Sequence, residues 1–227
     1  MEEEKLMKSM TPIRDLTAAA REGLSGNWGK SIGVTVVYII LSVGISLLPF
    51  AGKLLQLIFS APLVVGLTGY FLATIRRQDN PFSLLFAGFD RFGTSLCTYL
   101  LVMLITMAWM IPFGILAALL FFIYHAAPPL LWALLILIMI AIMIPIQMRY
   151  GLALYVVADD PSVSARQAVR RGVELMKGNY WRMGIFWLRF IGWQLLAVLT
   201  LGIGFIWLAP YYMAAMTAFY DDLTRNG

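Results

Sequence analysis

Six apolar runs, divided by short charged or turn-forming segments, constrain this chain more than any other feature. They cover residues 31–48, 54–75, 95–124, 130–157, 183–199 and 203–219. Crossing about 30 Å of hydrocarbon takes roughly 20 apolar helical residues. A segment in lipid must also satisfy its own backbone hydrogen bonds, which favours helices. The runs therefore read as six transmembrane helices of an all-α polytopic membrane protein. Thr200-Leu201-Gly202 is so short that the last two form a tight antiparallel hairpin. The chain is 61% hydrophobic and 13% charged, with a mean hydropathy of +0.81. A soluble domain has about 45–50% apolar and about 25% charged residues. One domain is the natural count for 227 residues.

The charges fall on alternate connections. Lys5, Lys8, Arg14, Arg21 and Lys30 precede the first run, and Arg76, Arg77 and Arg91 lie between the second and third. Arg166, Arg170, Arg171, Lys177 and Arg182 lie between the fourth and fifth, and Arg225 follows the sixth. The other side holds only Lys53; the loop from His125 to Pro129 has no Lys or Arg. The positive-inside rule then puts both termini in the cytoplasm. The acidic residues share that side, which leaves no outer domain to bind or catalyse. Residues 1–30 are polar and no small-residue cleavage site follows the first run, so the first span itself is expected to direct insertion. The net charge of +5 reads as topology signal and contact with anionic headgroups, not as nucleic-acid binding.

A short construction recurs ahead of each pair of runs. Thr11-Pro12, Asn80-Pro81 and Asp160-Pro161 each place a capping residue and a proline at a helix start. Gly26-Asn27-Trp28, Arg91-Phe92-Gly93 and Gly178-Asn179-Tyr180-Trp181 end those helices. Between these signals lie apolar stripes at helical spacing: Ile13, Leu16, Ala20 and Leu24; Phe82, Leu85, Phe86 and Phe89; Ala165, Ala168, Val169, Gly172, Val173 and Met176. The spacing predicts three cytoplasmic amphipathic helices in the interface plane. Each introduces one hairpin, giving units 11–75, 80–157 and 160–223 with approximate threefold symmetry about the membrane normal. Trp28, Phe92, Tyr180 and Trp181 then sit where an aromatic belt anchors a protein. The helices either anchor the hairpins or form a collar that gates or recognises anionic lipid.

Chemistry is sparse. One histidine, His125, gives little scope for a metal site or a nucleophilic triad. The single cysteine, Cys97, lies in an apolar run. No phosphate-binding glycine loop follows a strand, so neither cofactor nor metal is expected, and no enzyme. Gly66 and Gly69 suit close helix packing. Pro62, Pro112 and Pro145 each remove a backbone hydrogen bond inside a run, so a kink or break is expected there. Such a break is a packing feature or, as in some transporters, a binding site.

Arg189 follows Trp181 by eight positions, about 12 Å along a helix. A cation at that depth costs at least about 2.5–3.5 kcal/mol and usually has a partner or a wet cavity. Asp159, Asp160, Glu174 and carbonyls near Pro145 are the candidate partners; the alternative is that Arg189 snorkels to the surface. Gln147, Arg149, Tyr150, Tyr155 and Asp159 form a polar track descending to the cytoplasm, and Gln194 joins the candidate lining near Arg189. Asp159-Asp160 also precede a proline and a helix, so capping accounts for at least one of them.

Ile144-Pro145, Tyr150, Tyr155, Asp159-Asp160-Pro161, Met176-Lys177-Gly178-Asn179 and Phe190-Ile191-Gly192-Trp193 follow a pattern, as do residues 199–204, Trp207-Leu208-Ala209-Pro210-Tyr211 and Ala218-Phe219-Tyr220. This pattern resembles the DUF975 family of bacterial integral membrane proteins. Arg21-Glu22, Leu24, Gly26-Asn27-Trp28-Gly29, Phe86 and Gly88-Phe89 fit the family's N-terminal half. The resemblance covers nearly the whole chain and implies a bacterial cytoplasmic-membrane protein without an established activity. Arg189 stands where the family is expected to carry a small polar residue. A more distant similarity to the membrane domain of some glycerophosphodiester phosphodiesterases hints at lipid handling. Two readings follow: a non-enzymatic protein that binds or moves a lipid or other amphiphile, or a structural or accessory subunit that assists a membrane partner.

Overall fold

The computed structural model describes residues 11–49, 51–123 and 128–225. His125 and Tyr124 lie outside the described residues. The described chain is helical throughout: α1 (Ile13–Leu24), α2 (Trp28–Ser46), α3 (Gly52–Ile75), a 3-10 segment (Phe82–Arg91), α4 (Phe92–Ile123), α5 (Pro129–Tyr150), α6 (Ala153–Asp159), α7 (Ala165–Met176), α8 (Tyr180–Leu199) and α9 (Phe205–Arg225). Among the described residues, five helical stretches are long and apolar enough to cross a membrane: Trp28–Ser46, Gly52–Ile75, Phe82–Phe122, Pro129–Asp159 and Tyr180–Leu199. This is a membrane protein. The sixth expected span, α9, is not among the five: it carries Trp207, Pro210, Tyr211, Tyr212 and Tyr220 as well as Asp221, Asp222 and Arg225 in its last turns, and is less apolar than the others.

The principal neighbour of α1 is α9, that of the 3-10 segment is α3, and that of α7 is α6. The helix after each of these packs differently: α2 lies chiefly on α3, α4 on both α7 and α3, and α8 on α9. At the centre α3 meets both α6 and α9, and Tyr155 of α6 lies against Tyr220 of α9, ring centroids 5.7 Å apart. The core is aromatic: Tyr70, Phe71, Phe186, Phe190, Phe219 and Tyr220 are fully buried. By contrast α4 and α5 are largely exposed from Leu104 to Phe122 and from Leu130 to Ile144, Leu135 excepted.

Local chemistry explains where the expected starts and stops shift. No side chain caps α1 or the 3-10 segment; Pro12 and Pro81 occupy those cap positions. The Thr11 hydroxyl donates instead to Asp222, 2.7 Å away, and the Asn80 amide donates to the Thr74 hydroxyl at 3.0 Å. Asp160 accepts from the backbone and hydroxyl of Ser162, so α7 starts later, at Ser164, whose N–H donates to the Gln167 carboxamide at 2.9 Å. Those bonds and Arg171 hold the Asp160 carboxyl below the usual carboxylate range. Gly26 and Gly178 adopt φ of +78° and +75°, a conformation that a side chain disfavours, and each turns the chain into the next helix. The middle copy differs. Phe82–Arg91 is a 3-10 helix that runs into α4 with Gly93 already helical, so no left-handed glycine stops it.

That difference has a steric cause. A Cβ on Gly66 would lie 1.9 Å from the Leu85 carbonyl oxygen, and one on Gly88 would lie 2.0 Å from that of Pro62. Backbone touches backbone where the 3-10 segment crosses α3. Threefold winding sets Leu85 and Gly88 in line toward α3, and both are buried. Gly69 meets nothing within 4 Å and plays no part in the crossing. Pro62, Pro112 and Pro145 sit inside α3, α4 and α5, which run on through them. The expected break in the fourth run falls at Gly151–Leu152 instead, between α5 and α6. Pro210 is a further proline inside α9, and it is buried.

Candidate functional site

Three pairs of adjacent charges stand at one end of the bundle: Arg76-Arg77 after α3, Asp159-Asp160 at the end of α6, and Asp221-Asp222 near the end of α9. The first member of each pair turns inward. Arg76 Nη1 lies 2.5 Å from Asp159 and its Nε lies 2.8 Å from Asp221. The Tyr220 hydroxyl donates to Asp159 at 3.1 Å, and Arg225 holds the other oxygen of Asp221 at 2.8 Å. Arg91 donates to the Val157 carbonyl at 2.8 Å beside this cluster. Burial disfavours the charged Arg76, but the bonds to Asp159 and Asp221 outweigh it and raise its pKa. Of the second members, Arg77 turns outward to Glu22 and Asp160 to Arg171, whereas Asp222 is as buried as Asp221 and pairs with Arg182. The charge pattern thus ties the three central helices together at one end, and it places Asp159 as a structural anchor rather than as a helix cap.

Arg189 belongs to none of this. Its expected partners are engaged elsewhere, Asp159 by Arg76, Asp160 by Arg171 and Glu174 by Arg170. Arg189 is exposed on α8 and lines two grooves. The first, of about 510 Å³, runs between α8 and α9. Its α8 wall is Arg189, Trp193, Leu196, Ala197 and Thr200; its α9 wall is Trp207, Leu208 and Tyr211. Trp28 and Arg21 close one side. Both walls repeat at three- and four-residue intervals, so each is one face of its helix. The second groove, of about 720 Å³, lies toward the charged end and holds Arg14, Lys177, Trp181, Arg182, Ile185 and Arg189. Neither groove has a carboxylate in its described wall.

The other expected site residues do not converge on Arg189. Gln147 and Arg149 are exposed on α5, and Arg149 lies 5.9 Å over the ring of Tyr150. Tyr155 packs on Tyr220, and Gln194 is exposed on α8 outside both grooves. The polar track is therefore not assembled, because the turn at Gly151–Leu152 separates Gln147 and Arg149 from Tyr155 and Asp159. Pro112 and Pro145 are exposed and line neither groove. Among the aromatic anchors, Trp181 is 80% exposed, Phe92 stacks on Phe89 at 6.5 Å, and Trp28 and Tyr180 are half-buried against the core. Among the described residues no group of three His, Cys, Asp or Glu is placed to hold a metal ion.

The family described as a protein of unknown function (DUF975) matches residues 7–227. The chain belongs to the DUF975 family. Neither the curated proteins nor the solved structures give a match. Arg21 and Trp28, which close the groove beside Arg189 in this DUF975 protein, lie within the matched residues. Arg76, Arg182 and Asp221 read in the sequence only as charges near a membrane. Arg76 and Asp221 carry the signal of a charge doublet, whereas Arg182, between Trp181 and Met183, carries none.

Proposed function

We propose that this DUF975 protein is a non-enzymatic protein of the bacterial cytoplasmic membrane that binds or moves a lipid or other amphiphile. One observation carries the reading. A groove between α8 and α9 is walled by Trp193, Trp207, Leu196 and Leu208 and has Arg189 and Arg21 in its lining. Its volume of about 510 Å³ falls in the usual range for small-molecule sites, about 300–1,000 Å³. An amphiphile supplies both an apolar body for the tryptophans and a polar end for the arginines. Native mass spectrometry of the detergent-purified protein tests this. We expect a retained lipid adduct, and we expect the Trp193→Ala, Trp207→Ala double substitution to cut retention about tenfold, the loss of two aromatic contacts. Equal retention by the double variant would remove the groove from the reading.

In this reading α9 is the sixth span, both termini are cytoplasmic, and the three units wind about one axis normal to the membrane. Its Asp221 and Asp222 pair within the charged end, which supports their place at the headgroup level. In a Cys97→Ser background, an impermeant maleimide applied to intact cells should label Leu201→Cys and not Gln78→Cys. Both positions are exposed. Labelling of Gln78→Cys alone would invert the topology. The accessory-subunit reading has the exposed stretches of α4 and α5 as its surface. Recovery of one membrane protein in fixed proportion by crosslinking from that hairpin would favour it.

A further inference from the structure

We infer that the amphiphile has an anionic, phosphate-type headgroup, held at Arg189, Lys177 and Arg14, with an acyl chain in the groove between α8 and α9. This rests on the amphiphile reading and names the class. The first argument is continuity. Trp181, Ile185, Arg189, Trp193, Leu196 and Thr200 lie on one face of α8, and that face lines both grooves in turn. Arg189 is the residue the two grooves share.

The second argument is charge. The groove toward the charged end carries four cations, Arg14, Lys177, Arg182 and Arg189, and no carboxylate in its described wall. Arg182 is satisfied by Asp222. Arg14, Lys177 and Arg189 have no ion-pair partner among the described residues, although the protein pairs most of the other arginines near its charged end. Unpaired cations gathered round one concavity attract an anion, and guanidinium and ammonium groups both bind phosphate well. The third argument is polarity along the groove. Beyond Arg189 the wall becomes Trp193, Leu196, Ala197, Trp207 and Leu208. The order from cations to apolar wall is the order of a phospholipid of the leaflet at the charged end. A free phosphate would satisfy the cation-lined second groove and leave the apolar first groove between α8 and α9 without an occupant. Arg189 then needs no protein partner at its depth, because the headgroup neutralises it.

The test is native mass spectrometry of the intact protein in a mild detergent containing equal amounts of phosphatidylglycerol and phosphatidylethanolamine. We expect phosphatidylglycerol adducts to exceed phosphatidylethanolamine by about fivefold or more, the effect of one basic residue on an anionic lipid. Arg189→Gln should bring the ratio close to one while keeping an adduct, and Lys177→Gln should lower it in part. Arg170→Gln, on the exposed side of α7 and paired with Glu174, should leave the ratio unchanged. Arg189 is exposed, so its variant should fold; an unaltered elution profile in size-exclusion chromatography checks this. Equal retention of the two lipids by the unaltered protein would overturn the headgroup assignment and leave the amphiphile reading standing. No adduct of either lipid would overturn both. A preference unchanged in Arg189→Gln would overturn the placement. Displacement of the lipid by glycerol 1-phosphate alone would show a soluble phosphate site and overturn the acyl-chain assignment.

Discussion

Arg76→Leu should lower the melting temperature of the purified protein by about 5–10 °C. The side chains of Asp159 and Asp221, its two partners, are only 18% and 8% exposed. Removing one partner of a buried pair costs about 3–5 kcal/mol, because the remaining charge stays desolvated. Here the cost is reduced, to about 2–3 kcal/mol, since Arg76 is 24% exposed, Asp221 keeps Arg225 and Asp159 keeps Tyr220. For a chain of this size, each kcal/mol moves the melting temperature by about 2–4 °C. The adjacent residue is the control. Arg77 pairs with Glu22, but those side chains are 72% and 68% exposed, and such pairs contribute about 0–1 kcal/mol. Arg77→Leu should therefore shift the melting temperature by about 2 °C at most. Adding Asp159→Asn and Asp221→Asn to Arg76→Leu should recover part of the loss, because the orphaned charges go with it. Equal effects of Arg76→Leu and Arg77→Leu would show that the inward and outward members of the doublet do not differ as the geometry requires.

The contrast between Arg76 and Arg77 also shows how much of this protein is legible in its sequence. Long apolar runs are strong signals because the bilayer fixes their length and forbids unpaired backbone. α2, α3 and α8 accordingly fall close to their expected bounds. The Gly-Asn turns are legible too, since left-handed backbone favours so few residues. What periodicity does not carry is pairing at long range. Arg76 meets Asp159 and Asp221 across 83 and 145 positions, and nothing local distinguishes it from Arg77. Cap chemistry fails for a related reason. Thr11 and Asn80 have the side chains that cap a helix, but tertiary partners, Asp222 and Thr74, bind them instead. Arg189 is legible as an anomaly by its depth alone. Its surroundings are not, because Arg21 and Trp28 reach its groove from helices far away in sequence.

Gly66→Ala and Gly88→Ala should each destabilise the protein by about 1–3 kcal/mol, the cost of overpacking a tight site, although alanine is the better helix former. The added methyl would meet the Leu85 carbonyl oxygen at 1.9 Å in one case and the Pro62 carbonyl oxygen at 2.0 Å in the other. These are backbone atoms, so no side-chain rotation relieves the clash, and α3 must part from the 3-10 segment. That movement opens the packing of Leu85, which is fully buried, and it loosens the segment that ends in Arg91 and its bond to Val157. The sign of the effect is diagnostic. At an open helical site, Gly→Ala stabilises by up to about 1 kcal/mol. Gly69 is such a site, one turn along the same helix, where an added methyl would meet nothing within 4 Å. Gly69→Ala should therefore raise the melting temperature while Gly66→Ala lowers it. The pair of variants separates backbone crossing from helix propensity, since the chemical change is identical and the two positions share α3. Limited proteolysis in the connection at Gln78-Asp79 should accelerate in Gly66→Ala and Gly88→Ala and stay unchanged in Gly69→Ala. Equal melting temperatures for Gly66→Ala and Gly69→Ala would mean that the crossing is looser than the contact of Gly66 with Leu85 requires.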